Sequence, residues 1–183
     1  MRVFLGTDHA GLDLKSHLLR VLADEGFDPV DCGAYDYDAE DDYPPFCFAV
    51  GERVVTEPGT LGVVIGGSGN GEQMAANKVP GVRAALVWND ETARLARQHN
   101  DANVVSVGGR QHTVEEATAL VLTFLREPFS GEERHARRIA LMADYERDRH
   151  RPAGLVAEHT PGALISAAAA FGWPLAPVCT WGW

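Results

Sequence analysis

Apolar and polar positions along the chain switch repeatedly between a strand-like and a helix-like period. Arg2 to Thr7 is a short apolar run with β-branched members, closed by Asp8-His9-Ala10-Gly11, and predicts a buried strand. Leu14, Leu18, Val21 and Leu22 then recur at helical spacing, with Gly26 as the stop. Pro29 to Cys32 predicts a weak second strand ended by Gly33, and the polar stretch Ala34 to Asp42 predicts a loop. Pro44 to Val55 predicts a helix with Pro44 and Pro45 in its first turn. Leu61 to Ile65 is a β-branched strand running straight into Gly66-Gly67-Ser68-Gly69-Asn70-Gly71, after which Glu72 to Lys78 is helical. Val82 to Trp88 predicts a strand, Asp90 to His99 a helix, and Asn103 to Val107 a fifth strand. Thr113 and Glu116 have capping-box spacing ahead of an apolar face of Val114, Ala117, Val121, Phe124 and Leu125. Ser130 and Glu133 repeat that spacing before a last helix near Glu132 to Arg149.

Strands alternating with helices predict an α/β fold, a parallel sheet covered on both faces. Such sheets bind ligands at the carboxyl ends of their strands. Asp8-His9, Gly66 to Glu72 and Gly108-Gly109-Arg110 all follow predicted strands, so the three clusters are expected to converge on one crevice.

Composition narrows the function. The 183 residues carry 16 Lys+Arg against 26 Asp+Glu, a formal charge of −10, which argues against a general nucleic-acid binder. An anionic substrate would need local positive charge. Cys32, Cys47 and Cys179 are too few and too scattered for a disulfide framework or a zinc site. The N-terminal apolar run is too short for a signal peptide, and a reduced, cytoplasmic protein is expected. Five carboxylates between residues 36 and 42 predict a solvated loop, because they lack the ligand spacing of a calcium site. From Arg151 to Trp183 only Arg151 and Glu158 carry formal charge, and four prolines interrupt the stretch. Residues 1–149 are therefore expected to form the functional domain, and 150–183 a poorly ordered or docking extension rather than a membrane span.

The glycine loop is the strongest chemical signal. Four glycines in six residues, after a strand and before a helix, let backbone amides approach an anion or oxyanion. The loop lacks the Lys-Ser/Thr of a nucleotide P-loop. Glu72 in the next helical turn suits either a helix-dipole acid or a buried base. Asp8-His9 reads equally as a turn or a dyad, and His99-Asn100 as a helix end or a site. Arg134 and Arg138, four apart, share one helical face, either solvated or a phosphate clamp.

Five separated motifs carry a family resemblance: GTDHAG (6–11), DYP (42–44), GGSGNGEQMAANKVPGVRA (66–84), RQHNDANVVSVGGR (97–110) and ERHARRI (133–139). Together they resemble the type B ribose-5-phosphate isomerases, relatives of the galactose-6-phosphate isomerase subunits, over about residues 1 to 148. The resemblance implies a Rossmann-like three-layer α/β/α sandwich with a five-stranded parallel sheet. It also implies a homodimer, or a tetramer, with active sites shared between subunits, and no metal or organic cofactor. Many members carry a cysteine base just before the glycine loop. Gly66 stands there in this chain, which instead resembles the actinobacterial-type branch with a glutamate after the loop. The implied catalytic residues are Glu72 as base, His99 and Asp8 in ring opening, and Ser68 as proton relay. The implied substrate contacts are His9, Tyr43, Gly67, Gly69, Asn70, Gly71, Asn100, Arg110, Arg134 and Arg138. The expected reaction interconverts ribose 5-phosphate and ribulose 5-phosphate through a cis-enediolate. Another sugar phosphate as substrate, or a non-catalytic sugar-phosphate sensor, are the alternatives.

Overall fold

A computed structural model describes residues 1–149, so the expectation for 150–183 lies outside the described residues. The elements are β1 (Arg2–Thr7), a 3-10 turn (His9–Gly11), α1 (Leu12–Asp24), β2 (Asp28–Asp31), α2 (Tyr43–Thr56), β3 (Leu61–Gly66), α3 (Asn70–Ala76), β4 (Ala84–Leu86), α4 (Asp90–Asn100), β5 (Val104–Gly108), α5 (Val114–Arg126) and α6 (Glu133–Asp148). The strands form one parallel sheet in the order β2-β1-β3-β5-β4.

Alternation along each strand sends side chains to opposite faces, and both faces are buried. Val3, Leu5, Val63 and Ile65 meet Leu14, Leu18 and Leu22 of α1 and Ala117, Val121 and Phe124 of α5. Phe4 and Val64 pack on the other side with Cys47, Val50 and Val54 of α2 and Ala75 and Ala76 of α3. The result is the three-layer α/β/α sandwich. The chain moves to one side of β1 to make β2 and to the other side to make β3, so the switch point lies between the ends of β1 and β3.

The structure departs from the sequence expectation in three places. β4 spans only Ala84–Leu86, because it is an edge strand paired on one side by β5. On its open side the Asn77 amide takes over the ladder, accepting from Ala84 N–H at 2.8 Å and donating to Ala84 O at 3.0 Å. The capping box at Thr113–Glu116 forms, but the one at Ser130–Glu133 does not. Glu133 is already the first residue of α6, and the Ser130 hydroxyl instead accepts from Glu132 N–H at 3.3 Å and lies 3.0 Å from His135 Nδ1. A further capping box, Asn89 with Thr92, starts α4. No helix among the described residues is long and apolar enough to cross a membrane.

Candidate active site

The crevice at the switch point is built from the ends of β1 and β3. The Thr7 hydroxyl ties the two strands, 2.8 Å from Ile65 O. Asp8 follows and caps the 3-10 turn, its Oδ1 accepting from Ala10 N–H at 2.9 Å. The turn lies flat on β3, because Gly11 has no side chain: a Cβ there would be 2.4 Å from Ile65 Cγ2.

The glycine loop after β3 is held from behind. Gly109 N–H donates to Gly66 O at 2.8 Å, Arg110 N–H to Gly67 O at 3.1 Å, and the Ser106 hydroxyl to Gly69 O at 2.7 Å. With those carbonyls engaged, loop amides other than Asn70 N–H are the groups left for a ligand. Gly69 has φ +80°, a left-handed conformation that glycine adopts without strain. The Ser68 hydroxyl accepts from Asn70 N–H at 3.3 Å and so organises the start of α3.

Glu72 points back over this loop. Its carboxylate fills the space a side chain at Gly66 would occupy, since a Cβ on Gly66 would lie 1.8 Å from Glu72 Oε1. The residue is only 5% exposed. Burial pushes its carboxyl above the usual range and the nearby negative charge of Asp8 adds to this, while the N–H groups of Glu72 itself and of Gly69 oppose the shift. A carboxylate held this way is a stronger base than one in water. Cys47 lies buried nearby, and burial, with smaller contributions from Glu72 and Asp8, pushes its thiol up to about 12, which makes it unsuited to be a nucleophile or base.

Tyr43, at the start of α2, rests against the loop; a Cβ on Gly71 would be 2.8 Å from its hydroxyl. Arg110 is exposed and lies beside Gly67. His9 completes this group, its Nδ1 2.6 Å from Asp41 Oδ1. Thus Asp8, His9, Tyr43, Gly67 to Gly71, Glu72 and Arg110 gather at the carboxyl end of the sheet.

His99, Asn100, Arg134 and Arg138 form a second group elsewhere on the same chain. α4 runs antiparallel to the strands and ends just before β5 begins, so His99 sits near the start of β5 while Gly66 pairs with its end. At a rise of about 3.3 Å per residue, one strand length puts roughly 15 Å between the two groups. Asp8 and His99 are therefore not brought together within one copy. The His99 and His135 rings meet tilted by 42°, with their centroids 4.2 Å apart. His135 is the buried residue of α6 and seats the helix that presents exposed Arg134 and Arg138. Burial lowers the pKa of His135, and His99 and then Arg134 lower it further.

Two residues of these groups escape sequence reasoning. Asp41 belongs to the run expected to be solvated, yet its side chain is 12% exposed. His135 lies in an Arg-rich segment that reads as a basic surface. Among the described residues, Asp8, His9 and Asp41 are the group whose ligand atoms, within 4.8 Å of one another, could hold a metal ion. One oxygen of each carboxylate is already committed to hydrogen bonds: Asp8 Oδ1 to Ala10 N–H, and Asp41 Oδ1 to His9.

The sheet order and the crevice at its switch point define a doubly wound α/β protein with a buried carboxylate beside an amide-lined loop. The chain belongs to the ribose/galactose isomerase family, whose model matches residues 3–142. Over 152 residues it is 56% identical to ribose-5-phosphate isomerase B of Mycobacterium tuberculosis strain H37Rv, covering 83% of this chain and 94% of that protein. The structure of type B ribose 5-phosphate isomerase from Trypanosoma cruzi superposes with a TM-score of 0.77 at 45% identity, covering 81% of this chain and 98% of that one. The Mycoplasma genitalium ribose-5-phosphate isomerase B, solved with bound ribulose-5-phosphate, gives 0.77 at 43% identity, covering 80% and 97%.

Proposed function

We propose that the protein is an aldose–ketose isomerase that interconverts ribose 5-phosphate and ribulose 5-phosphate. The observation that carries this is the Glu72 carboxylate, buried against Gly66 at the head of the glycine loop, in a chain of this family. The related M. genitalium enzyme holds ribulose-5-phosphate.

The reaction needs an open-chain sugar. Glu72 takes the proton from the carbon beside the carbonyl and returns it to the neighbouring carbon, moving it between C2 and C1. Negative charge collects on oxygen in the enediolate. Its stabilisation is assigned to the amides of residues 67 to 71, of which Asn70 N–H is shared with the Ser68 hydroxyl, a contribution on the order of 3 kcal/mol per donor in other enzymes. Ser68 passes protons between the two oxygens, and Tyr43 lines the sugar. His99 and Asp8 open the ring, and Asn100 positions it. His9, Arg110, Arg134 and Arg138 hold the phosphate.

This assignment requires two copies. The first group lies at the carboxyl end of the sheet and His99, Asn100, Arg134 and Arg138 near its amino end, so a second copy supplies the latter. α6 supports such pairing, with Leu141 and Met142 exposed along it and Met74 exposed on α3.

The reaction is tested by a coupled isomerase assay over five-, six- and four-carbon sugar phosphates. Highest kcat/KM on ribose 5-phosphate is expected; preference for a six-carbon phosphate would reassign the substrate, and inactivity on all would favour a sensor. The sharing of sites is tested with variants. Arg138→Ala is expected to raise KM about tenfold with kcat little changed, as for a lost charge-assisted hydrogen bond of about 1.4 kcal/mol. Assayed far below KM, an equal mixture of Glu72→Gln and Arg138→Ala chains, unfolded and refolded together, should recover about a quarter of parental activity. Half the dimers are then hybrids with one intact site. No recovery would place both residues in one copy's site.

A further inference from the structure

We propose that Asp41 is a positioning residue that clamps His9 so that its Nε2 is dedicated to the substrate phosphate. The proposal rests on the assignment of His9 to the phosphate.

The clamp is double. Asp41 Oδ1 accepts from His9 main-chain N–H at 3.1 Å and lies 2.6 Å from His9 Nδ1. An ionised carboxylate can only accept, so Nδ1 must carry the hydrogen in either charge state of the ring. Nε2 is left as the ring's other polar atom, and the side chain is 23% exposed, so that edge can be reached. A phosphate accepts hydrogen bonds and repels a lone pair. The ring that meets it therefore carries a second proton on Nε2, and the resulting positive charge faces the Asp41 carboxylate.

The other carboxylate oxygen strengthens the case. Asp41 Oδ2 is buried and has no hydrogen-bond partner among the described residues. An oxygen stripped of water without a donor is costly, and such groups tend to be kept for a reason. A cationic His9 ring beside it offsets that cost electrostatically.

The surrounding chain is built to deliver Asp41. Buried Lys15 anchors the start of the loop, its Nζ 2.5 Å from both Asp31 Oδ1 and Ala34 O. Asp38 turns the loop back, its carbonyl accepting from Asp41 N–H at 3.2 Å. α2 begins at Tyr43, so one short segment sends Asp41 to His9 and Tyr43 to the glycine loop. Among the charged groups nearby, Asp8 shares the cluster, and the Tyr37 ring stands edge-on to His9 at 6.0 Å.

Kinetics of Asp41→Asn, His9→Ala and the double variant test this. Asp41→Asn is expected to raise KM for ribose 5-phosphate about tenfold with kcat within a factor of about two, and the double variant should be no worse than His9→Ala alone. If His9→Ala leaves KM unchanged, the assignment of His9 to phosphate fails and the proposal with it. If His9→Ala raises KM but Asp41→Asn does not, or if the two effects multiply, the clamp alone is wrong. Nitrogen NMR of the parental protein gives a reading independent of any variant's folding. Nδ1 of His9 should be protonated with and without inorganic phosphate, and Nε2 should respond to phosphate; a ring protonated only at Nε2 overturns the proposal.

Discussion

Glu72→Gln is expected to bind ribose 5-phosphate nearly as well as the parent while its turnover falls roughly 100- to 10,000-fold, the usual contribution of a general base. Glutamine keeps the shape of the side chain and cannot take a proton. The same substitution should make the protein more stable at neutral pH. Burial, reinforced by Asp8, holds the Glu72 carboxyl above its ordinary range, so the folded chain binds this proton more tightly than the unfolded chain does. The stabilisation from that proton is present below the unfolded-state value and is lost as pH rises through the folded one. Glu72→Gln has no such loss, so it should melt above the parent at pH 7.5, with the gap closing below about pH 4. Near-parental turnover, or a lower melting temperature at neutral pH, would remove Glu72 from the role of buried base.

Gly66→Ala should be the second most damaging change to turnover. A Cβ at this position would sit 1.8 Å from Glu72 Oε1 and 2.1 Å from its Cδ. One of the two must move, and the end of the glutamate is freer than a strand in mid-sheet. The carboxylate is therefore expelled from its seat by an ångström or more. A displacement of that size costs on the order of a hundredfold in rate. The backbone at Gly66 is not left-handed, so alanine is tolerated there and the fold should survive. The expected signature is a fall in kcat with KM and melting temperature near parental. Gly62→Ala is the contrast: its Cβ would meet Val50 Cγ1 at 2.6 Å, inside the core, and should lower stability instead. Parental kcat in Gly66→Ala would mean that the carboxylate works from another position.

Much of this architecture is legible in the residue pattern, for physical reasons. Leu61 to Gly66 is apolar on both faces, and only a parallel strand covered on both sides buries such a run. The alternation of strands and helices then places Asp8, the glycine loop and Arg110 at strand ends, where they are found. Strand order is not written in local periodicity, and neither is the shortness of β4, which depends on Asn77 reaching its open side. His99 shows the same limit. Its place at a helix end is readable, but the end of the sheet on which α4 finishes is a property of the assembled fold. Asp41 is hidden for a different reason. Irregular loops have no period, so one half-buried carboxylate among five looks like its solvated neighbours. His135 is masked by its setting, because flanking arginines make an outward face look uniform while one ring turns inward onto His99.

The role assigned to Glu72 is to carry hydrogen between C1 and C2. It is tested most directly by following ribose 5-phosphate in deuterium oxide by proton NMR, with the parent and Glu72→Gln side by side. The parent should place solvent deuterium on the sugar as the ketose forms, and Glu72→Gln, bound to the same sugar, should neither exchange nor isomerise. Exchange by Glu72→Gln at close to the parental rate would contradict it.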